Sequence, residues 1–132
     1  MNRRTNAVAF AVACLLARGA FAQAPAASNP VGVWRGTSQC LVHPSACNDE
    51  IVVYRITRLN ASDSLSLDAR KIVKGQEEEM GVLGCVLAVP GSVTCTIPNG
   101  VWRFTARADT LVGELRVRDN TKFRHVRATR SH

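Results

Sequence analysis

Residues 82–97 read VLGCVLAVPGSVTCTI, two runs rich in β-branched and aliphatic residues on either side of Val89, Pro90 and Gly91. Proline presets one turn position, and glycine accepts the left-handed backbone that closes a short hairpin. With Val89, Pro90 and Gly91 as a three-residue loop, Ala88 faces Ser92. The register then sets Leu87 opposite Val93, Cys85 opposite Cys95 and Leu83 opposite Ile97. Leu83, Leu87, Val93 and Ile97 fall on one face and the two cysteines meet, which a wrong register would not produce. The hairpin therefore predicts an antiparallel sheet stapled by a Cys85–Cys95 disulfide.

The same pattern extends in both directions. Short segments at 31–40, 50–59, 64–73, 101–106, 111–117 and 122–129 join 82–88 and 92–97 to give eight predicted strands, with no stretch of helical period. In the second segment Val52, Tyr54 and Ile56 share a face. In the third, Leu65, Leu67 and Ala69 alternate with Ser64, Ser66 and Asp68. Residues 74–81 (KGQEEEMG) read as a polar loop. Eight short strands joined by short loops suggest a meander that removes its edges by closing, the last strand pairing with the first. The expected fold is an all-β, small eight-stranded antiparallel up-and-down barrel, with a β-sandwich as the alternative.

The N-terminal residues belong to a different class. Arg3 and Arg4 precede an apolar run over 7–17, and Ala20, Phe21 and Ala22 supply a small-residue cleavage site. Residues 1–22 are read as a signal peptide, 23–30 as a linker and 31–132 as one barrel domain, exported to the periplasm or beyond. Removing Arg3, Arg4 and Arg18 takes the basic residues from 17 to 14 against 10 acidic ones, so the charge falls from +7 to +4. Removing Cys14 leaves Cys40, Cys47, Cys85 and Cys95, an even set that reads as two disulfides in an oxidising compartment. Cys40 with Cys47 follows by elimination, although spacing alone leaves the other two connectivities open. The composition, 46% hydrophobic and 20% charged, excludes a disordered chain, and no apolar run reaches the roughly 18 residues of a membrane-spanning helix.

Gly32, Val33 and Trp34, opening the first strand of an exported eight-stranded meander, resemble the Gly-x-Trp signature of lipocalins and related calycin barrels. The resemblance implies that Trp34 plugs one end and that an arginine of the last strand, Arg124 or Arg127, packs across it. Residues 32–56 are also similar to small exported bacterial domains of unassigned function. The lipocalin-like reading implies a ligand-binding barrel without catalysis.

Strand alternation points Val52, Tyr54, Ile56, Trp102 and Phe104 into the barrel as its lining. An up-and-down order gathers the loops at 41–49 and 74–81 at the end opposite Trp34. His43, Asp49, Glu50, Glu77, Glu78 and Glu79 thereby become candidates for one polar mouth. Such a set suits a divalent cation or an acid/base pair, but solvated loop charges account for it better, and no metal, cofactor or catalytic residue is assigned. The segment after Val101 carries an excess of positive charge. However, its aromatics Trp102 and Phe104 alternate onto the core face, so no nucleic-acid surface is expected. The expected function is a monomeric, non-enzymatic barrel that takes a small apolar or amphipathic ligand at its open end. The alternative is an envelope protein-interaction module, such as an inhibitor of a hydrolase.

Overall fold

A computed structural model of the chain describes residues 19–22, 27–60 and 62–132. The fold is all-β. Its strands are β1 (Gly32–Cys40), β2 (Glu50–Arg58), β3 (Ser64–Val73), β4 (Gln76–Val89), β5 (Ser92–Ile97), β6 (Gly100–Arg107), β7 (Thr110–Val117) and β8 (Lys122–Ser131). Each pairs antiparallel with the next, and β8 pairs with β1, closing an up-and-down barrel. Arg3, Arg4 and the apolar run of the expected signal peptide lie outside the described residues.

The hairpin of β4 and β5 has Cys85 opposite Cys95 and Leu87 opposite Val93, as the sequence predicts. Its turn is shorter than expected. Val89 pairs with Ser92 and Ala88 bulges out, leaving Pro90 and Gly91 (φ +76°) as a two-residue turn. The expected pairing of Leu83 with Ile97 is not formed, because the ladder runs only from Val89 to Cys85. Beyond that point β4 diverges from β5.

Residues 74–81 are not a loop. Lys74 (φ +50°) and Gly75 (φ +79°) make a tight hairpin turn, and β4 starts immediately at Gln76. Arg70 stands opposite Glu79 and Lys71 opposite Glu78, and Glu77 is held by Arg55 at 2.8 Å and Arg70 at 3.9 Å, so basic residues of β2 and β3 support extended chain where composition suggested a loop. A bulge at Met80 separates this outer arm from the barrel proper, since Ala69 pairs with Gly81 and Arg70 with Glu79.

Trp34, Val52, Ile56, Leu65, Leu67, Val93, Phe104, Leu111 and Val126 are all buried inside. Gly113 shows how tightly the interior is fitted: a Cβ there would lie 2.4 Å from Cδ1 of Phe104, so the ring occupies the space a side chain would need. Residues 27–30, read from sequence as linker, also belong to the fold. Ala27 bridges to Arg107, the Ser28 amide donates to the Ala106 carbonyl, and Pro30 is fully buried.

Candidate binding site at the open end

The two ends of the barrel are built differently. At one end the Trp34 indole is fully buried and its Nε1 donates to the Pro30 carbonyl at 2.8 Å. The guanidinium of Arg130 lies 4.2 Å over the ring. It also donates to the carbonyls of Val31 (2.8 Å) and Asn29 (2.7 Å). The arginine that closes the barrel is thus Arg130, neither Arg124 nor Arg127. The register of β1 against β8 explains the correction: Trp34 pairs with Arg130, because β8 continues two residues past the expected end at Thr129. Arg127 is exposed, opposite Thr37, whereas Arg124 stands opposite Cys40 at the far end.

That far end is open. A cavity of about 160 Å³ enters the barrel there, lined by Tyr54, Leu67, Ala69, Met80, Gly81, Leu83, Ile97, Trp102 and Phe104. Its floor is aromatic. Trp102 stacks on Phe104 with ring centres 5.2 Å apart, and Tyr54 meets Phe104 edge-on at 5.5 Å. The walls exist because β4 leaves β5: Met80, Gly81 and Leu83 stand on one side, Ile97 and Trp102 on the other. All five residues expected to line the interior face into the barrel: Tyr54, Trp102 and Phe104 border the cavity, while Val52 and Ile56 are packed in the core beneath it. Met80 and Gly81 escape a sequence reading that places them in a loop. The break in alternation between the three glutamates and Val82 is the trace they leave.

Beside this apolar cavity lies a polar quadrant. Arg124 Nη1 donates to the Ser38 hydroxyl (3.2 Å) and to the Asn48 carbonyl (3.0 Å), and lies 3.6 Å from Glu50. Lys71 reaches the same carboxylate at 3.9 Å. Ser38 is buried, and its hydroxyl is also within reach of Tyr54. Burial raises the Tyr54 hydroxyl pKa above the ordinary tyrosine range, against the opposing pull of Arg124 and Ser38, so the group stays neutral. Ser38 is the polar residue missed from sequence, whereas Arg124, expected across Trp34, stands here at the other end and shares its inward parity with Val126 and Ala128.

The six polar mouth candidates do not converge. His43 Nε2 donates to the Cys40 carbonyl at 3.0 Å, and Asp49 accepts from the Cys40 amide at 2.7 Å. Both shape the loop closed by the Cys40–Cys47 disulfide. Glu77 lies on the outer arm of β4, in a bidentate pair with Arg55 at 2.8 and 3.0 Å. Arg55 thereby holds the Glu77 carboxyl below the usual carboxylate range. Glu78 and Glu79 have no ion-pair partner among the described residues. Only Glu50 stays at the mouth, between Arg124 and Lys71. Among the described residues no group of three His, Cys, Asp or Glu side chains is placed to hold a metal ion.

Comparison with protein-family models, with curated proteins and with solved structures returns no match for this chain. The site is therefore interpreted from its own chemistry.

Proposed function

We propose that the chain is a non-enzymatic, lipocalin-like binding protein that takes a small apolar group at the open end of its barrel. The observation that carries this reading is the aromatic-floored cavity of about 160 Å³ bounded by Tyr54, Trp102, Phe104, Leu83 and Ile97. Its size matches an engineered cavity of about 150 Å³ that binds benzene, and falls below the roughly 300 Å³ at which drug-sized pockets begin. The occupant is accordingly one ring or one short aliphatic branch, either alone or as the buried end of an amphipathic molecule whose remainder lies outside. The polar groups nearby are already engaged with one another, which suits a wall better than a reaction centre. Plugging of the opposite end by Trp34 and Arg130 supports the kinship with lipocalin-type barrels.

Export follows from the same reasoning. Two disulfides, Cys40–Cys47 and Cys85–Cys95, favour an oxidising compartment, and residues 3–22 have the order of a secretory signal. No helix among the described residues is long and apolar enough to cross a membrane.

Amide spectra recorded during titration with benzene and indole test the binding reading. Saturable shifts at Leu83, Ile97 and Trp102, with Leu111 and Val126 unmoved, are the expected result. Absence of saturable binding to either probe, together with no co-purifying small molecule in native mass spectra of the exported protein, would overturn it.

A further inference from the structure

The cavity wall on β4 is also a strand edge. On one side residues 76–86 of β4 pair with the whole of β3, from Ser64 opposite Val86 to Val73 opposite Gln76. On its other side pairing with β5 stops at Cys85, so residues 76–84 have no ladder partner there among the described residues. The direction of the unused groups follows from two observations. The Leu87 amide donates toward β3, to the Asp63 carbonyl at 2.8 Å. The Cα atoms of Cys85 and Cys95 are 4.2 Å apart, the close spacing of a non-hydrogen-bonded pair. Backbone groups alternate along a strand, so those of Val82 and Gly84 point to the open side. A Cβ built on Gly81 or Gly84 meets nothing within 4 Å, so neither face of this segment is crowded.

Three features meet along this edge. Backbone donors and acceptors there call for an extended chain, because only a strand satisfies them in alternation. The apolar cavity opens directly beside them, between Leu83 and Ile97. Glu78 and Glu79 continue the same strand with carboxylates that form no ion pair among the described residues, whereas Glu77 is committed to Arg55. Outward from the edge Val82 is 59% exposed and Val86 54%.

We propose that residues 76–84 of β4 are a docking edge for an extended, basic segment of a partner protein, which adds as a strand and places one apolar side chain in the cavity. The inference rests on the cavity being a binding site, and it assigns that site a peptide partner. Main-chain hydrogen bonds to Val82 and Gly84 supply attraction without sequence preference. The cavity then selects one ring or branched side chain, and Glu78 and Glu79 select lysine or arginine beyond it. A second copy of this chain fits the edge less well. Antiparallel self-pairing about Met80 sets each copy's Glu78 opposite the other's Val82, so the second copy brings no basic residue to Glu78 or Glu79.

The experiment uses the disulfide-bonded protein and a capped octapeptide of alternating lysine and valine with one central phenylalanine. A second peptide of the same sequence is N-methylated at alternate residues. The expected result is saturable binding of the first peptide, with slowed amide exchange at Val82 and Gly84, and at least about tenfold weaker binding of the second. Val82→Pro removes one outward N–H without altering the core, and is expected to weaken the first peptide about as much. Reversing both charges, with Glu78→Lys and Glu79→Lys, should favour a glutamate–valine peptide over the lysine one. Equal binding of the two peptides, or no peptide binding while benzene still shifts Leu83 and Ile97, overturns the docking edge and leaves the small-ligand reading in place. Loss of peptide and benzene binding together overturns both. Concentration-dependent dimerisation blocked by Val82→Pro overturns the partner assignment in favour of a second copy.

Discussion

Arg130 lies over the Trp34 indole, its guanidinium carbon 4.2 Å from the ring centre, while its two terminal nitrogens hold the carbonyls of Val31 and Asn29. One side chain thus joins the last strand, the first strand and the segment that precedes it. Arg130→Ala is expected to cost about 2–3 kcal/mol in urea unfolding, combining a partly desolvated cation–π contact with two charged hydrogen bonds. Arg127→Ala, on the exposed face, should change stability by less than about 0.5 kcal/mol. Equal effects of the two would contradict the closure assigned to Arg130.

Filling the cavity should separate binding from folding. Ile97 ends β5 with its side chain half-buried at the cavity wall. Ile97→Trp is expected to abolish benzene and indole binding while moving the unfolding free energy by no more than about 1.5 kcal/mol, since the added ring enters existing space. Unchanged binding in a folded variant, read by the same amide titration, would place the ligand elsewhere.

The Cys85–Cys95 bond stands where the ladder between β4 and β5 ends. Replacing both cysteines with alanine should cost about 2–3 kcal/mol for a loop of this length. Amide exchange at Val86 and Thr94, the first pair inside the bond, should accelerate more than exchange at the β1–β8 seam. Uniform acceleration would show that the bond constrains only the unfolded chain.

Glu77 offers a pH-dependent reading of the outer arm. Its hydrogen bonds from Arg55 lower its folded-state pKa, so its contribution to stability is complete above the unfolded value of about 4.3 and is lost as pH falls through the folded value. Carbon-detected titration should place the Glu77 midpoint below that of the Arg55→Ala variant. Coincident midpoints would mean that the pair does not persist in solution.

Gly113 is expected to resist enlargement. A methyl group there would meet both Cδ1 and Cε1 of Phe104, at 2.4 and 2.5 Å. Gly113→Ala should therefore destabilise by about 1–3 kcal/mol and alter the near-ultraviolet circular dichroism of Trp102, which stacks on that ring. An unaffected spectrum would show that Phe104 relaxes independently of Trp102.

The barrel was legible in the sequence because its strands bury one face and expose the other, and the Cys85–Cys95 hairpin fixes the register. The parts that were not legible have physical causes in common. Carboxylates over 77–79 suggest solvent, yet Arg55 and Arg70 on β2 and β3, which hold Glu77, together with the positive-φ turn at Lys74 and Gly75, turn the segment into a ladder. Arg130 falls one residue beyond the expected end of β8, because its partner Trp34 lies on a strand nearly a hundred positions away in the chain. Tyr54, Trp102 and Phe104 follow from alternation. Met80 and Gly81 do not, since a bulge breaks the period that alternation depends on. His43 and Asp49 have the right chemistry for a site and spend it on their own loop.

β4 has 14 residues and its neighbour β5 has 6, so the sheet overruns itself like the two ends of a split washer. Under the proposed binding reading, a guest enters sideways through that gap without rupturing a rung of the ladder. Its exchange is then expected to follow diffusion and side-chain rotation rather than local unfolding, with the stability of the barrel placing no ceiling on the rate of loading.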